Sequence, residues 1–473
     1  MDWREVKSGV WQRPLGGIES VMSSIIMVDH PPLQEPIRIH VVADFTTPYS
    51  SDQVVQAFRD SWKAIRLLKS PDIATTFADG HKQYKVASEQ ELQSWLDETF
   101  TASPTGASVD EIIRERQARQ TFLPAFSVSL QNTSGTISKG VAVLLISHWR
   151  TEASGALQIV NQLFDYTSEI LSGTTIRDQL GNHVLASEVR LLTPTLDDIV
   201  MPNKDSTPEA KARVRKHFAD VQLRMPCVEF PMQGNAAAPS SFVKLSQRTY
   251  HPAMTASLLS ACKSKGISVT AAIHSAFLGG VWALADSRNK SRHYAALMPA
   301  QVRKRLPTTS PYRDQGAWDA ARVLMLTIPP DQDFITRARS LRQQYSLANQ
   351  DSWMFEDMRA VSEWTMKPPP EGTPAQPLSM PWFTSIGLLD GDVLLPEHGN
   401  IQIENVVVWA DPTGPGVVLG QWTFRGQLNI EIHWNSTYHS DTVIEQALDL
   451  VEEALESELG VDMGMAGKRI LVI

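Results

Sequence analysis

A mixed α/β (α+β) protein of two lobes is what this sequence predicts, on three observations. Its 473 residues exceed what one ordinary core organises, so two or three units of about 100–200 residues are expected. Strand-like alternation and helix-like periodicity take turns along both halves. Between residues 192 and 245 the composition shifts to turn formers and short polar stretches, which marks a boundary. Residues 1–195 are therefore read as an N-terminal lobe, 196–245 as a linking region and 246–473 as a C-terminal lobe.

In the first half, residues 36–45 (PIRIHVVADF) alternate as a strand does. Residues 53–68 place Val54, Val55, Phe58, Trp62, Ile65 and Leu68 at helical spacing. Short helices follow at 90–99 and 109–118. Residues 125–131 and 140–146 then read as two strands of a hairpin joined by a Ser/Gly turn. The second (GVAVLLI) is nearly all aliphatic, which suits a strand covered on both faces. It delivers Ser147 and His148 at its end, and a helix follows through residue 171. Past it, 194–209 is rich in turn formers, 207–224 reads as a short charged helix, and 231–241 (PMQGNAAAPSS) as a plain linker.

The second half opens with a strand at 242–250 and a helix over about 252–265, which Gly266 stops. A further helix, 269–285, carries Ala272, Ile273, Ala276, Phe277, Val281 and Leu284 on its apolar face, with His274 as a packing histidine. A strand at 293–300 leads into QVRKRLP. Two strands within 416–434, a turn at Asn435 and an acidic helix, 440–458, close the pattern. No short tandem repeat is visible.

Composition excludes several function classes. Net charge is −9 with both signs scattered, where phosphate binding needs a clustered basic face, so neither nucleic acid nor an anionic membrane is an expected partner. Two cysteines, Cys227 and Cys262, exclude a disulfide framework and a multi-cysteine zinc site. The opening MDWREVKSG is not expected to act as a signal peptide, and no run approaches 18 apolar residues. The expectation is a cytoplasmic protein, a monomer. No phosphate-cradling loop, dinucleotide fingerprint or Gly-x-Ser-x-Gly elbow is present. His433 and His439 flank WNSTY without nearby acids or cysteines; they read as a poor metal site on a solvated loop.

One constellation carries chemistry: a buried strand, then SHWRTEASG, then a helix. His148 stands at a strand end, and in layered α/β folds such ends face crevices. An imidazole there acts as general base where it reaches a hydroxyl or amine. Glu152 follows four residues on. With 12 histidines and 52 acids among 473 residues, roughly one such pair arises by chance, so spacing alone is no signal.

Five segments along the chain resemble one family. SHWRTEASGAL is similar to the active-site segment of the CoA-dependent acyltransferase superfamily, whose pattern is His-x-x-x-Asp-Gly. Condensation domains of peptide synthetases, plant-type acyltransferases and fungal trichothecene 15-O-acetyltransferase-like proteins share it. WQRPLGGIES (11–20) resembles the fungal acetyltransferase start. GISVTAAIHSAFLGGVWALA (266–285) and MPAQVRKRLPTTSPY (298–312) resemble the helix and the Asn-x-Arg-x-x-Leu-Pro segment of the second lobe. WTFRGQLNIEIHWNSTYHSDTVIEQALDLV (422–451) resembles the closing strand, loop and helix.

The resemblance implies two chloramphenicol-acetyltransferase-like lobes forming a V-shaped cleft crossed by a tunnel. It implies that His148 takes the acceptor's proton during attack on a thioester, and that Glu152 is a structural acid paired with Arg303, tying one lobe to the other. Arg305 and Arg66 are weaker candidates for that arginine. Trp149 and Ser385 would line the tunnel. The donor would be acetyl-CoA or another acyl thioester, carrier-protein-bound in one version, and the acceptor a small hydrophobic molecule of fungal-type secondary metabolism. No tightly bound cofactor and no metal is implied. Three departures stand out: Glu152-Ala153 replaces Asp-Gly, Ala153 adopts positive φ less freely than Gly, and the plant-type Asp-Phe-Gly-Trp element is missing. Two alternatives therefore stay open: a repurposed member catalysing cyclisation, dehydration or a pericyclic reaction, and a non-catalytic binding module.

Overall fold

The computed structural model describes all residues except 1–2, 25–36, 79, 104–105, 119–122, 132–137, 174, 201–205, 234–242, 351–357, 366–378, 392, 413 and 473. The Ser/Gly turn of the expected hairpin and most of the 231–241 linker lie outside the described residues. Two compact units are present. One comprises Met1–Asn203, Gln301–Ala321 and Leu389–Asp411; the other comprises Lys204–Ala300, Arg322–Leu388 and Pro412–Ile473. This corrects the sequence-based division at two places. Gln301–Ala321 and Leu389–Asp411 were expected in the C-terminal lobe, yet they are built into the first unit. The linking region contains two helices of its own, Leu196–Val200 and Pro208–Gln222.

The first unit is organised by a six-stranded sheet in the order Glu397–His398, Ile401–Ala410, Arg38–Thr47, Ser138–Ser147, Ala125–Gln131 and Phe100–Ser103. All neighbours are antiparallel except the last pair. The aliphatic run at 141–146 forms the core of Ser138–Ser147, a central strand hydrogen-bonded on both sides. Helices Ser51–Ala64 and Ala153–Leu171 cover one face, where Phe164 meets Phe45 and Phe58 edge-on at 5.4 and 5.2 Å. Each such pair contributes about 0.5–1.5 kcal/mol beyond its buried area. Helix Glu89–Thr99 starts where the sequence signals it. The Ser88 hydroxyl accepts from the Glu91 N–H, and the Glu91 carboxylate accepts from the Ser88 N–H.

The opening segment is clipped to this unit by buried charge. Strand Val10–Pro14 pairs with His81–Lys85, and Arg13 donates two 2.7 Å hydrogen bonds to Glu19. Lys82 lies 3.3 Å from Glu19 and 3.0 Å from Asp72, and Asp72 accepts from the backbone of Thr193. Despite its burial, Glu19 is drawn down to about 2 by Arg13 and Lys82.

The second unit has a five-stranded sheet in the order Pro381–Leu388, Val417–Phe424, Gln427–Asn435, Val243–Tyr250 and Met465–Val472. The first pair is parallel and the rest antiparallel. Val417, Leu419, Leu428, Ile430, Ile432 and Trp434 turn one face towards helices Val269–Leu284 and Asp441–Leu459, forming the main core of this unit. Ser268 caps the first of these helices by accepting from the Ala271 N–H. His274 lies within that core, fully buried and stacked on Phe383 at 4.0 Å. Among the described residues no single helix is long and apolar enough to cross a membrane.

Candidate active site

The site begins with the register of the first sheet. Strand Ser138–Ser147 pairs with Arg38–Thr47 up to Ser147 opposite Arg38, and the His148 N–H then donates to the Ile37 carbonyl at 2.8 Å. The chain turns at once, with Arg150 N–H donating to Ser147 O, and Glu152 becomes the N-cap of helix Ala153–Leu171. His148 is thus held between the end of a buried strand and the start of a buried helix, with 14% of its side chain exposed.

Its Nδ1 is buried, so the exposed part of the ring lies elsewhere. Facing Nδ1 at 3.9 Å is Oδ2 of Asp319, a carboxylate whose side chain is fully buried. That separation is about 1 Å too long for a hydrogen bond, and among the described residues neither atom has another partner. Asp319 is fixed from the other side, its Oδ1 accepting from the Ala321 N–H at 3.1 Å. Burial disfavours a charged imidazole. Asp319, the ring's own backbone carbonyl and the more distant Glu152 outweigh it and raise the His148 pKa. Burial also raises Asp319, partly countered by His148.

Beside this pair stands a second one. Glu152 accepts from Arg303 Nε at 2.6 Å and Nη2 at 2.9 Å, and from the Ala320 N–H at 3.1 Å. Arg303 also donates to the carbonyls of Gln315 and Trp318, and its guanidinium lies 5.2 Å from the Trp318 ring centroid. In spite of burial, Arg303 holds Glu152 below the usual carboxylate range. Of the three candidate arginines, Arg303 is therefore the partner. Arg305 is exposed, and Arg66 lies over the Trp95 ring at 4.7 Å. The ion pair does not tie one lobe to another as expected, because Arg303 and its loop belong to the same unit as Glu152.

The glycine requirement also falls elsewhere than the motif suggested. Ala153 is the first residue of the helix and is not among the positive-φ residues. Gly155 is the tight position. A Cβ there would lie 2.1 Å from Thr151 Oγ1 and 2.5 Å from both Arg303 Nη2 and Gly316 O. Helix and loop can approach this closely only over a bare Cα.

Trp149 is 4% exposed and packs under the Arg150 guanidinium at 4.2 Å, a packing role within the first unit. Ser385 lies in the second unit, where its Oγ accepts from Gln421 Nε2 at 2.9 Å and stands 3.3 Å from Thr270 Oγ1. His433 and His439 are not on a solvated loop; both are buried. The His439 ring nitrogens lie 2.8 and 2.7 Å from the carbonyls of Pro231 and Pro415. Asp319 was not visible to sequence reasoning. It sits in WDAAR, and only the chain's return through 301–321 brings it to His148.

No protein-family model matches the chain. Over nearly its whole length it is similar to acetyltransferase pigO of Monascus ruber, with 25% identity over 475 residues, 98% of this chain and 99% of that one. Its fold is similar to that of the TRI3 trichothecene 15-O-acetyltransferase from Fusarium sporotrichioides. The TM-score is 0.78 at 12% identity, covering 96% of this chain and 97% of that one. The EpoB peptide-synthetase cyclization-docking bidomain from Sorangium cellulosum superposes with a TM-score of 0.62 at 15% identity, covering 96% and 86%. At such identities the structural likeness establishes the fold, which is the one the sequence motifs implied.

Proposed function

We propose that the chain is an acyltransferase of the condensation-domain-like superfamily, moving an acyl group, most simply acetyl, from a thioester to a hydroxyl or amine of a small secondary metabolite. The observation that carries the reading is His148 at the strand end, buried at Nδ1 beside Asp319 and open elsewhere on the ring.

In the step we infer, the acceptor oxygen attacks the thioester carbonyl while His148 Nε2 takes its proton. The resulting imidazolium is favoured by the Asp319 carboxylate. Collapse of the tetrahedral intermediate breaks the C–S bond, and Nε2 returns the proton to the departing sulfur, giving ester and free thiol. Glu152 and Arg303 hold the turn that presents the ring and take no proton. Hydroxyl acceptors are preferred over amines in this reading because the sequence relative pigM of Monascus ruber, 24% identical over 98% of this chain, is an O-acetyltransferase. The intact His148–Asp319 and Glu152–Arg303 pairs support an enzyme over a binding module whose motif has decayed.

The test is free-thiol release from acetyl-CoA in the presence of hydroxylated polyketides, with mass detection of the ester. His148→Ala should lower turnover by about 10²–10⁴-fold with the fold intact. Unchanged turnover removes His148 from the chemistry. Conversion of a polyketide without any acyl donor would instead favour a repurposed activity.

A further inference from the structure

The first unit holds another imidazole placed between a hydroxyl and a carboxylate, on a segment the acyl-transfer mechanism does not use. His183 follows helix Ile176–Gly181, and the chain then turns, the Ser187 N–H donating to the Val184 carbonyl at 2.9 Å. The short helix Ser187–Leu191 begins there. His183 Nδ1 stands 3.5 Å from Ser187 Oγ, and its Nε2 stands 3.0 Å from Glu188 Oε2. Two consecutive residues thus reach opposite nitrogens of one ring. The other oxygen of Glu188 accepts from the Tyr84 hydroxyl at 2.9 Å, which pins the carboxylate in place.

Exposure is graded along this row. The Glu188 side chain is 2% exposed and that of His183 11%, whereas Ser187 is half-buried. Val184 and Leu185, on the same turn, are 70% and 65% exposed. The carboxylate is shielded from water, the hydroxyl is within reach of a molecule from solution, and two apolar side chains stand open next to it. Ala186, immediately before the serine, has a φ of 68°, one of two non-glycine residues with positive φ among the described residues. Alanine rarely adopts that conformation, and a sharp, strained turn is one way in which hydrolases present a serine hydroxyl.

We propose that Ser187, His183 and Glu188 form a second catalytic centre, a serine esterase site for small, uncharged esters of short carboxylic acids. With Nε2–H donating to Glu188, the Nδ1 lone pair is left for the serine hydroxyl. At 3.5 Å that contact is loose, and contacts of this kind close as a substrate carbonyl engages the serine. Ser187 Oγ attacks the ester carbonyl while Nδ1 takes its proton, and Glu188 stabilises the imidazolium. The bond from the acyl carbon to the alcohol oxygen breaks, Nδ1 returns the proton to that oxygen, and the acyl group stays on Ser187. Water then attacks the acyl-serine, losing its proton to Nδ1. The bond to Oγ breaks, Oγ recovers the proton, and the carboxylic acid leaves. Val184 and Leu185 offer the apolar contact that favours an uncharged ester. The inference does not depend on acyl transfer at His148.

The test uses the full chain carrying His148→Ala, so that the other imidazole contributes nothing and the two readings fail separately. This protein is incubated with 4-nitrophenyl acetate. Release of 4-nitrophenolate is followed by absorbance, and the acetylated residue is mapped by peptide mass spectrometry. Acetyl should appear on Ser187, and Ser187→Ala should remove it and slow nitrophenolate release. His183→Gln should slow acetylation of Ser187 by about 10²-fold, the scale of a lost general base. Glu188→Gln should slow it by a smaller factor. The Ser187 and His183 variants change partly exposed side chains and decide the matter if Glu188→Gln fails to fold. Acetyl found on lysines and not on Ser187, or acetylation of Ser187 that His183→Gln leaves unchanged, overturns the proposal.

Discussion

Replacing Glu152 by Gln removes one charge from a buried pair and leaves the other in place. The side chains of Arg303 and Glu152 are 1% and 7% exposed, so water cannot substitute for the lost partner. Three hydrogen bonds converge on the carboxylate, two from Arg303 and one from the Ala320 N–H. A Gln oxygen can keep some of them, but its amide N–H₂ then turns towards another donor. Breaking a buried pair in this way costs about 3–5 kcal/mol, and the retained oxygen places Glu152→Gln near the lower end. For a unit of this size ~3 kcal/mol corresponds to roughly 6–12 °C in melting temperature.

Scanning calorimetry checks the figure, and acid titration checks the cause. The folded pKa of Glu152 is depressed, so its stabilisation is complete above the unfolded carboxyl's value of about 4.3 and is lost as pH falls through the folded value. The gap between the two proteins should therefore close on acidification. Glu152→Leu combined with Arg303→Met should recover much of the loss, since a packed apolar pair replaces a buried ionic one at little net cost. A shift of less than about 1 °C for Glu152→Gln, or loss of turnover with an unchanged melting temperature, refutes the scaffold role.

Two further outcomes follow from the same corner of the molecule. Asp319→Asn should lower the pKa of His148, because burial then acts on the ring without the carboxylate that opposes it. Carbethoxylation of His148 by diethyl pyrocarbonate, mapped by mass spectrometry against pH, should set in at lower pH than in the parent; an unmoved profile separates the two residues. Gly155→Ala should destabilise the first unit by about 1–3 kcal/mol or more, read by urea denaturation, since its Cβ meets Thr151, Arg303 and a backbone carbonyl at once. A neutral substitution there would mean that helix and loop are not closely packed.

Sequence reading reached the elements whose signals are local. The aliphatic run before His148 can be buried on both faces only in a central strand, and that is where it lies. The helix apolar stripe at 272–284 likewise faces a core. Arg303 was legible through the resemblance of its segment, but its unit was not, because which lobe a loop joins depends on contacts far along the chain. Asp319 had no local pattern at all. The terminal strand Met465–Val472 passed unnoticed, since an edge strand largely exposed along its length carries no alternation of polar and apolar residues. Gly155 was overlooked in favour of position 153, for the motif describes φ freedom and the structure demands empty space.

The first unit borrows two pieces from late in the chain, and that has a bearing on its synthesis. Strand Arg38–Thr47 acquires its outer neighbour only when Ile401–Ala410 has been made. At about 5–20 residues per second, that interval is roughly 20–70 s. Throughout it the nascent sheet presents an unpaired, largely apolar rim, and the Glu152 carboxylate waits for Arg303 without a counter-ion. A ribosome stalled near residue 203 would hold a fragment with an open sheet border and an orphan acid, a natural client for holding chaperones. Excising the first 203 residues as an independent module would reproduce that unfinished state permanently.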